Sequence, residues 1–220
     1  ETVTTQANVL VDAGTVVLDN IEMEVVTSNS FRVNGGNVTL KNATIPGHVE
    51  GSANNVNAFY TIGGTTLLEN ITITNPTGDG LRVNVTADEE GKVIAEPTVT
   101  ANNVTVTGAG RNSMWVSGGE ITVDGATFSG LKSDINNVLV NGGKATLINV
   151  VSDKVNKNNN ICVNSGELNL QNVQILGHNE GAAASNHGLY ANGGKLIVDG
   201  VSIENTAGSG IRVDNNAVVD

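Results

Sequence analysis

The chain has 220 residues and carries 22 acidic against 11 basic side chains, so its formal net charge is −11 at neutral pH. This acidity disfavours nucleic acids and anionic lipids as partners, because neither polyanion gains counterion release or surface attraction from an acidic protein. Hydrophobic residues make up 39% of the chain in short runs, so no membrane insertion is expected, and the single cysteine, Cys162, excludes an internal disulfide framework.

A short repeat runs through the whole chain. The segment 31–45 recurs with related residues at 189–203, and intermediate copies lie between them. The second residue of a Gly-Gly pair, or its substitute, marks each copy: Gly14, Gly36, Gly64, Pro97, Gly119, Gly143, Gly166, Gly194 and Asn216. Successive markers lie between 22 residues (14 to 36) and 33 residues (64 to 97) apart. Such a repeat indicates a solenoid of about nine coils.

Each repeat predicts three short strands. In the second repeat the apolar residues alternate with polar ones: Phe31, Val33, Val38, Leu40, Ala43 and Ile45. Alternation with a period of two is typical of strands with one buried face. Three strands, two tight corners and one variable loop return the chain to its start one strand spacing further on. This is a coil of a parallel β-helix.

The predicted fold class is therefore all-β, a right-handed parallel β-helix of about nine coils with three short strands per coil. The left-handed helix is the alternative, but it needs coils of more constant length. Residues 1–220 are expected to form a single β-helix domain, a segment of a longer surface protein, with 85–97 inserted as a hairpin or loop.

The corners between strands have their own residue types. Gly-Gly fits the first corner because glycine adopts positive φ without a Cβ clash. The second corner carries asparagine in most coils and glycine at 125 and 200: Asn20, Asn42, Asn70, Asn103, Asn149 and Asn172. Stacked asparagines can hydrogen-bond through their amides, so we predict an asparagine ladder.

A longer repeat is superimposed on the coils. Residues 31–84 align without gaps onto residues 161–214, an offset of 130 residues. The loops 47–51 and 177–181 match, as do residues 80–83 and 210–213. A duplication of five coils explains this pattern.

One outward column concentrates the large side chains of the chain. We call it the Arg/aromatic column, and it consists of Leu10, Arg32, Tyr60, Arg82, Trp115, Leu139, Cys162, Tyr190 and Arg212. A polar column lies two residues further along each strand: Asp12, Asn34, Asn84, Ser117, Asn141, Asn164, Asn192 and Asp214. Aromatic rings flanked by arginine and asparagine are typical of surfaces that bind glycans or proteins.

We therefore interpret part of the two columns as ligand-binding residues: Arg32, Tyr60, Arg82, Trp115, Tyr190, Arg212, Asn84, Asn141 and Asn192. The alternative is that these side chains only shield the strands or pack beneath loops. The loops that re-enter the first strand are expected to overhang the column: 46–58, 74–80, 107–113, 129–137, 152–160 and 176–188. The acidic residues of the insertion 85–97 are expected at a solvated hairpin tip.

No catalytic residue is assigned, because the columns offer no pair of carboxylates on adjacent coils. Arg82 and Asp79 are a candidate ion pair. His178, Glu180 and His187 are weak metal candidates, as are His48 and Glu50, but loop histidines beside glycines more often cap turns. No cofactor or metal is expected. Cys162, if exposed, could form an intermolecular link.

The repeats, the asparagine corners, the near absence of cysteine and the acidic composition resemble the right-handed β-helix of bacterial surface and secreted proteins. The similarity is greatest to the passenger domains of autotransporter adhesins, the pertactin-like family, and it covers essentially the whole chain. It implies an extracellular or bacterial cell-surface location and a role in virulence. The partners it implies are a glycan, a host or matrix protein, or copies of the chain itself.

Two other functions stay open at this point. Pectate-lyase-like enzymes and glycoside hydrolases share the β-helix and bind carbohydrate in a corresponding groove, although their catalytic signatures are not recognisable in this chain. A self-associating structural stalk is the other alternative.

Overall fold

The computed structural model describes residues 7–49 and 51–220, and over these residues it contains strands and turns but no helix. The strands are β1 (Val9–Val11), β2 (Thr15–Asp19), β3 (Phe31–Val33), β4 (Asn37–Ile45), β5 (Phe59–Thr61), β6 (Thr65–Thr74), β7 (Leu81–Val83), β8 (Thr86–Ala87), β9 (Val93–Ala95), β10 (Thr98–Thr107), β11 (Met114–Val116), β12 (Glu120–Ser129), β13 (Val138–Ser152), β14 (Ile161–Ile175), β15 (Leu189–Ala191), β16 (Lys195–Asp199), β17 (Ser202–Ile203), β18 (Ile211–Val213) and β19 (Val218–Val219).

Strands of successive coils pair in parallel along the molecule. The short first strands form one series, in which β1 pairs with β3, β3 with β5 and β5 with β7. The longer strands form a second series, in which β2 pairs with β4, β4 with β6 and β6 with β10. The described chain is thus a parallel β-solenoid of about nine turns, which confirms the predicted all-β fold and number of coils.

The second and third strands of a coil run together more than the sequence predicts. β4 is continuous from Asn37 to Ile45 and turns at Asn42, where φ is 49°. In β13 and β14 the first strand joins as well, which gives strands of 15 residues. The corners are tight enough that hydrogen bonding to the neighbouring coil continues around them.

The glycine corners are confirmed, and from Gly36 onward the preceding coil leaves no space for a side chain there. Gly36 has φ of 85°, and a Cβ on it would lie 2.5 Å from the carbonyl oxygen of Gly14. Pro97 takes the corner position between Gly64 and Gly119: Thr98 donates to the Gly64 carbonyl, and Glu120 donates to the Pro97 carbonyl. Close backbone stacking therefore favours glycine at this corner.

The asparagine corners and their ladder are also confirmed. The six predicted corner asparagines all have φ between 49° and 56°. Asn70 donates from Nδ2 to Oδ1 of Asn42, and Asn103 donates in the same way to Asn70, both at 2.8 Å. Gly125 interrupts the ladder, which resumes where Asn172 donates to Asn149.

Two aspartates that precede corner residues also accept hydrogen bonds in the ladder. Asn42 donates to Oδ1 of Asp19, and Asn149 donates to Oδ1 of Asp124, both at 2.8 Å. Each aspartate precedes a corner residue, Asn20 or Gly125. The corner pattern of the sequence does not identify these carboxylates as ladder members.

The core is a continuous stack of branched apolar side chains inside the coils. The predicted inward residues of the second repeat are all buried: Phe31, Val33, Val38, Leu40, Ala43 and Ile45. The rings of Phe31 and Phe59 pack with their centroids 6.0 Å apart on consecutive coils. Each buried side chain of this kind stabilises the fold by about 1.5–3 kcal/mol.

The insertion 85–97 contains an antiparallel hairpin, in which β8 pairs with β9. Its tip is a local turn, because Asp88 Oδ1 accepts hydrogen bonds from the backbone N–H groups of Glu90 and Lys92. Asp88, Glu89 and Glu90 lie at the surface or close to it, as expected of a solvated hairpin tip.

Candidate functional site

The Arg/aromatic column is aligned residue by residue along the described coils. Arg32 pairs with Tyr60, Tyr60 with Arg82, and Arg82 with Trp115 in the parallel registers of the first strands. The register continues through Leu139 and Cys162 to Tyr190 and Arg212. The residues predicted to share one face therefore do share it, at successive strand spacings of about 4.8 Å.

Most side chains of the column are half-buried, whereas Leu10 and Arg212 are exposed. Cys162 is only 4% exposed, so an intermolecular link through its thiol is not supported. Burial raises the pKa of the Cys162 thiol to about 12, and Sγ contacts Asn164 Oδ1 at 3.4 Å. A thiol in this state is protonated at neutral pH and unreactive.

Guanidinium groups lie against the aromatic rings of the column. The guanidinium carbon of Arg82 is 3.6 Å from the centroid of the Trp115 ring, and that of Arg111 is 4.8 Å from the same centroid. Arg32 lies 5.6 Å from the Tyr60 centroid. These distances are those of cation–π contacts. Ring surface that the sequence analysis assigned to a ligand is therefore partly covered by the protein itself.

Asp79 is a buried carboxylate beside the middle of the column. It lies in loop 74–80, is fully buried, and accepts a 3.0 Å hydrogen bond from Nη1 of Arg82. Its Oδ1 accepts two more hydrogen bonds, from the backbone N–H and the Nδ2 of Asn112. The predicted ion pair is confirmed, and it locks loops 74–80 and 107–113 to the column.

A second cluster forms around Tyr190 in the duplicated half. Its hydroxyl donates to Oδ2 of Asp214 and lies 3.0 Å from Oδ1 of Asn192. Arg212 donates from Nε to Oδ2 of Asp214 at 2.8 Å, with its guanidinium carbon 5.9 Å from the Tyr190 centroid. The His187 ring lies 5.7 Å from the Tyr190 ring, which brings loop 176–188 onto the column.

The titration of this second cluster follows from these contacts. The hydrogen bond from Arg212 is the main reason that the pKa of Asp214 is lowered. Burial, followed by the hydrogen bond to Asp214, raises the pKa of Tyr190. Burial and the nearby charge of Arg212 lower the pKa of His187. At neutral pH the cluster therefore holds a carboxylate, a neutral phenol and a neutral imidazole.

The asparagines of the polar column bond to one another as well as facing outward. Asn141 accepts from Asn164, which in turn accepts from Asn192. Asn84 accepts from the hydroxyl of Ser117 and from the N–H of Val85. The three asparagines assigned as ligand-binding thus have part of their hydrogen-bonding capacity used, and Asn141 is the one that is exposed.

The loop histidines cap turns, as their glycine-flanked positions suggest. His48 accepts the backbone N–H of Thr77 at Nδ1, and His178 accepts that of Ala207 in the duplicated loop. His178 Nε2 is also bonded to the carbonyl oxygen of Asn158.

His187 plays a similar capping part in the second half. Its Nδ1 accepts from the backbone N–H of Ser209, and its Nε2 lies 3.4 Å from Nη1 of Arg212. Glu180 is exposed, and no group of three or more metal-ligating side chains occurs within residues 7–49 and 51–220; Glu50 lies outside this described part.

Arg111 is a member of this site that the sequence repeat does not identify. It is the one arginine that lies off the column strands, and it reaches Trp115 from loop 107–113. Its position four residues before Trp115 is the only sequence signal, because a loop side chain has no fixed direction in the repeat.

Comparison with known proteins adds no assignment. No family model matches this chain, and neither a curated protein nor a solved structure does so. Among the described residues there is also no helix with the length and hydropathy needed to cross a bilayer.

Proposed function

We propose that this protein is a rigid binding module of the adhesin type, exposed at a bacterial cell surface or secreted, whose Arg/aromatic column recognises a glycan or a host protein. The observation that supports it is the gathering of both tyrosines, the tryptophan and all four arginines against one face of the solenoid. Tyrosine, tryptophan and arginine are the residues most enriched at binding hot spots.

The geometry favours contacts along the coil axis. A regular ladder of strands holds the column residues at equal spacing, so they need little ordering when a ligand binds. Three loops reach the column through Asp79, Arg111 and His187, and such loops are where specificity usually varies on a fixed scaffold. An extended ligand that lies along the column would contact several coils at once.

The enzymatic alternative, a pectate-lyase-like or glycoside hydrolase activity, has less support. Glycoside hydrolysis usually needs two carboxyl groups that flank the bond to be broken. Asp79 is buried and bonded to Arg82 and Asn112, and Asp214 is bonded to Arg212 and Tyr190. These carboxylates hold the column together, which makes them poorly placed to act on a substrate.

Self-association as a structural stalk is a second candidate with one observation in its favour. Ile211 and Val213 are 47% and 45% exposed, although they are in register with the buried Leu189 and Ala191. A strand that is paired on one side only and carries exposed apolar side chains can pair with another copy through its open edge. Sedimentation velocity over a range of concentrations tests this, since a constant monomer would contradict it.

The binding proposal is tested on an array of glycans and matrix proteins. Wild type is compared with the triple variant Tyr60→Ala/Trp115→Ala/Tyr190→Ala, after circular dichroism has shown that both are folded. A matched control, Thr39→Ala/Thr100→Ala/Thr122→Ala, changes outward side chains of the longer strands instead. Loss of an array signal in the first variant alone supports the proposal. Signals that survive the aromatic substitutions would contradict it.

A further inference from the structure

The middle of the column carries an unbalanced positive charge. Arg82 and Arg111 both lie against the Trp115 ring. The salt bridges of residues 7–49 and 51–220 pair Arg82 with Asp79 and include none for Arg111. In a chain with a net charge of −11, this local excess of positive charge is unusual.

The neighbouring loop carries a further cation, which serves as a comparison for Arg111. Loop 129–137 lies directly on loop 107–113, because Lys132 donates its backbone N–H to the Ala109 carbonyl and Ser133 donates to that of Arg111. Lys132 is exposed and is in none of the salt bridges of the described residues. The acidic residue of that loop, Asp134, is paired with Lys157 at 2.7 Å.

The contact of Arg111 with Trp115 suits it for binding an anion. A guanidinium that stacks on an aromatic ring uses its flat face, while its N–H groups point outward in the plane and can still donate. These groups form a fork that matches the oxygens of a carboxylate or sulfate. Trp115 is half-buried, so the ring surface that the two guanidinium groups leave uncovered can contact a sugar ring.

We propose that Arg111 is the anion-binding residue of the column and that its ligand is an acidic glycan, a chain of sugars bearing carboxylate or sulfate groups. This inference rests on the binding function proposed above and specifies its ligand class. Arg32 pairs with Asn34 rather than a carboxylate at 2.8 Å, and lies three strand spacings, about 14 Å, from Trp115 along the column. A polymer with an anion on every repeat unit reaches both arginines without having to fold.

The test measures binding to polymers that share one backbone and differ in charge: dextran, carboxymethyl dextran and dextran sulfate. Poly-glutamate represents an acidic polypeptide. The proteins are wild type, Arg111→Gln, Arg111→Lys and Lys132→Gln, each checked for an unchanged melting temperature. Lys132→Gln is the matched control, because it removes one nearby positive charge without touching the indole.

Wild type is expected to bind the charged dextrans more tightly than dextran. Arg111→Gln should weaken that binding by about tenfold or more, Arg111→Lys should restore part of it, and Lys132→Gln should change it by less than about threefold. Added salt should weaken the wild-type binding.

Four results would overturn the inference: equal binding of neutral and charged dextrans, equal losses in Arg111→Gln and Lys132→Gln, tighter binding of poly-glutamate, or no binding to any polymer. In each case the array with the aromatic triple variant still decides the broader proposal. A neutral glycan or a protein that binds wild type but not that variant would keep the binding function and remove the acidic ligand.

Discussion

The guanidinium of Arg82 lies 3.6 Å from the Trp115 ring centroid, on the adjacent strand of the next coil. The same group donates to the buried carboxylate of Asp79. In the duplicated half Arg212 pairs with Asp214, while Ser209 stands at the position equivalent to Asp79. Each arginine thus keeps one carboxylate although the position of that carboxylate differs.

The burial of Asp79 predicts unequal effects of removing the two arginines. Arg82→Met should lower the free energy of unfolding by about 3 kcal/mol or more, because it leaves a buried carboxylate without its partner. Adding Asp79→Asn to this variant should recover part of the loss. Arg212→Met should cost much less, because the side chain of Asp214 is 32% exposed whereas that of Asp79 is 0% exposed. Urea unfolding measures all four proteins, and equal losses for the two arginine variants would contradict the argument.

The strand register is tested by two adjacent residues of β13. Val140 is fully buried, and Leu139 faces outward in the column. Val140→Asp should lower the free energy of unfolding by several kcal/mol, because it places a carboxylate among apolar side chains. Leu139→Asp should cost about 1 kcal/mol. Thermal melting followed by circular dichroism separates them, and similar losses would mean that the inward and outward positions are wrong.

The asparagine ladder predicts that backbone strain and hydrogen bonding contribute separately to the free energy of unfolding at Asn70. Asn70 has φ of 56° and bonds to both Asn42 and Asn103. Asn70→Ala loses these bonds and also places a Cβ-bearing side chain with no local hydrogen bond at positive φ, so we expect a loss of about 2 kcal/mol. Asn70→Gly loses the same bonds, but glycine adopts this positive φ without strain. It should therefore cost about 1 kcal/mol less than Asn70→Ala. Chemical denaturation measures the difference, and a glycine variant less stable than the alanine variant would refute this account.

The repeat explains which features could be predicted from sequence. Once Gly36 and Asn42 are recognised as corners, every residue between them has a fixed phase, so the burial of Val38 and Leu40 follows directly. The same phase places Arg82 beside Trp115, because parallel pairing stacks equivalent positions of neighbouring coils. Fold, core and column register are therefore all consequences of one pattern.

Features that depend on side-chain direction or on loops could not be predicted in this way. Arg111 reaches Trp115 because of the path of loop 107–113, which the repeat does not constrain. Cys162 is outward by phase yet buried, because its neighbours cover it. Asp124 joins the ladder by accepting from the next coil at a corner where Gly125 has no side-chain amide. Each depends on contacts between parts that vary from coil to coil.

The half-buried His48 and the buried His187 predict that stability decreases on mild acidification. Burial lowers the pKa of His48 below its ordinary value of 6.5, and burial together with the charge of Arg212 does the same for His187. The unfolded chain therefore binds protons at a higher pH than the folded chain does. As the pH falls below about 6.5, the free energy of unfolding should decrease, until the pH passes the lowered folded-state values.

Asparagine is a suitable replacement for His187 in a test of this prediction. The equivalent residue in the first half is Asn57, which accepts the backbone N–H of Asp79, just as His187 accepts that of Ser209. Urea unfolding between about pH 8 and about pH 5, above the range where most carboxylates titrate, compares wild type with His48→Asn/His187→Asn. The free energy of unfolding of the double variant should decrease much less over this pH range, because asparagine does not titrate. A pH dependence identical to that of wild type would show that other groups govern stability in this range.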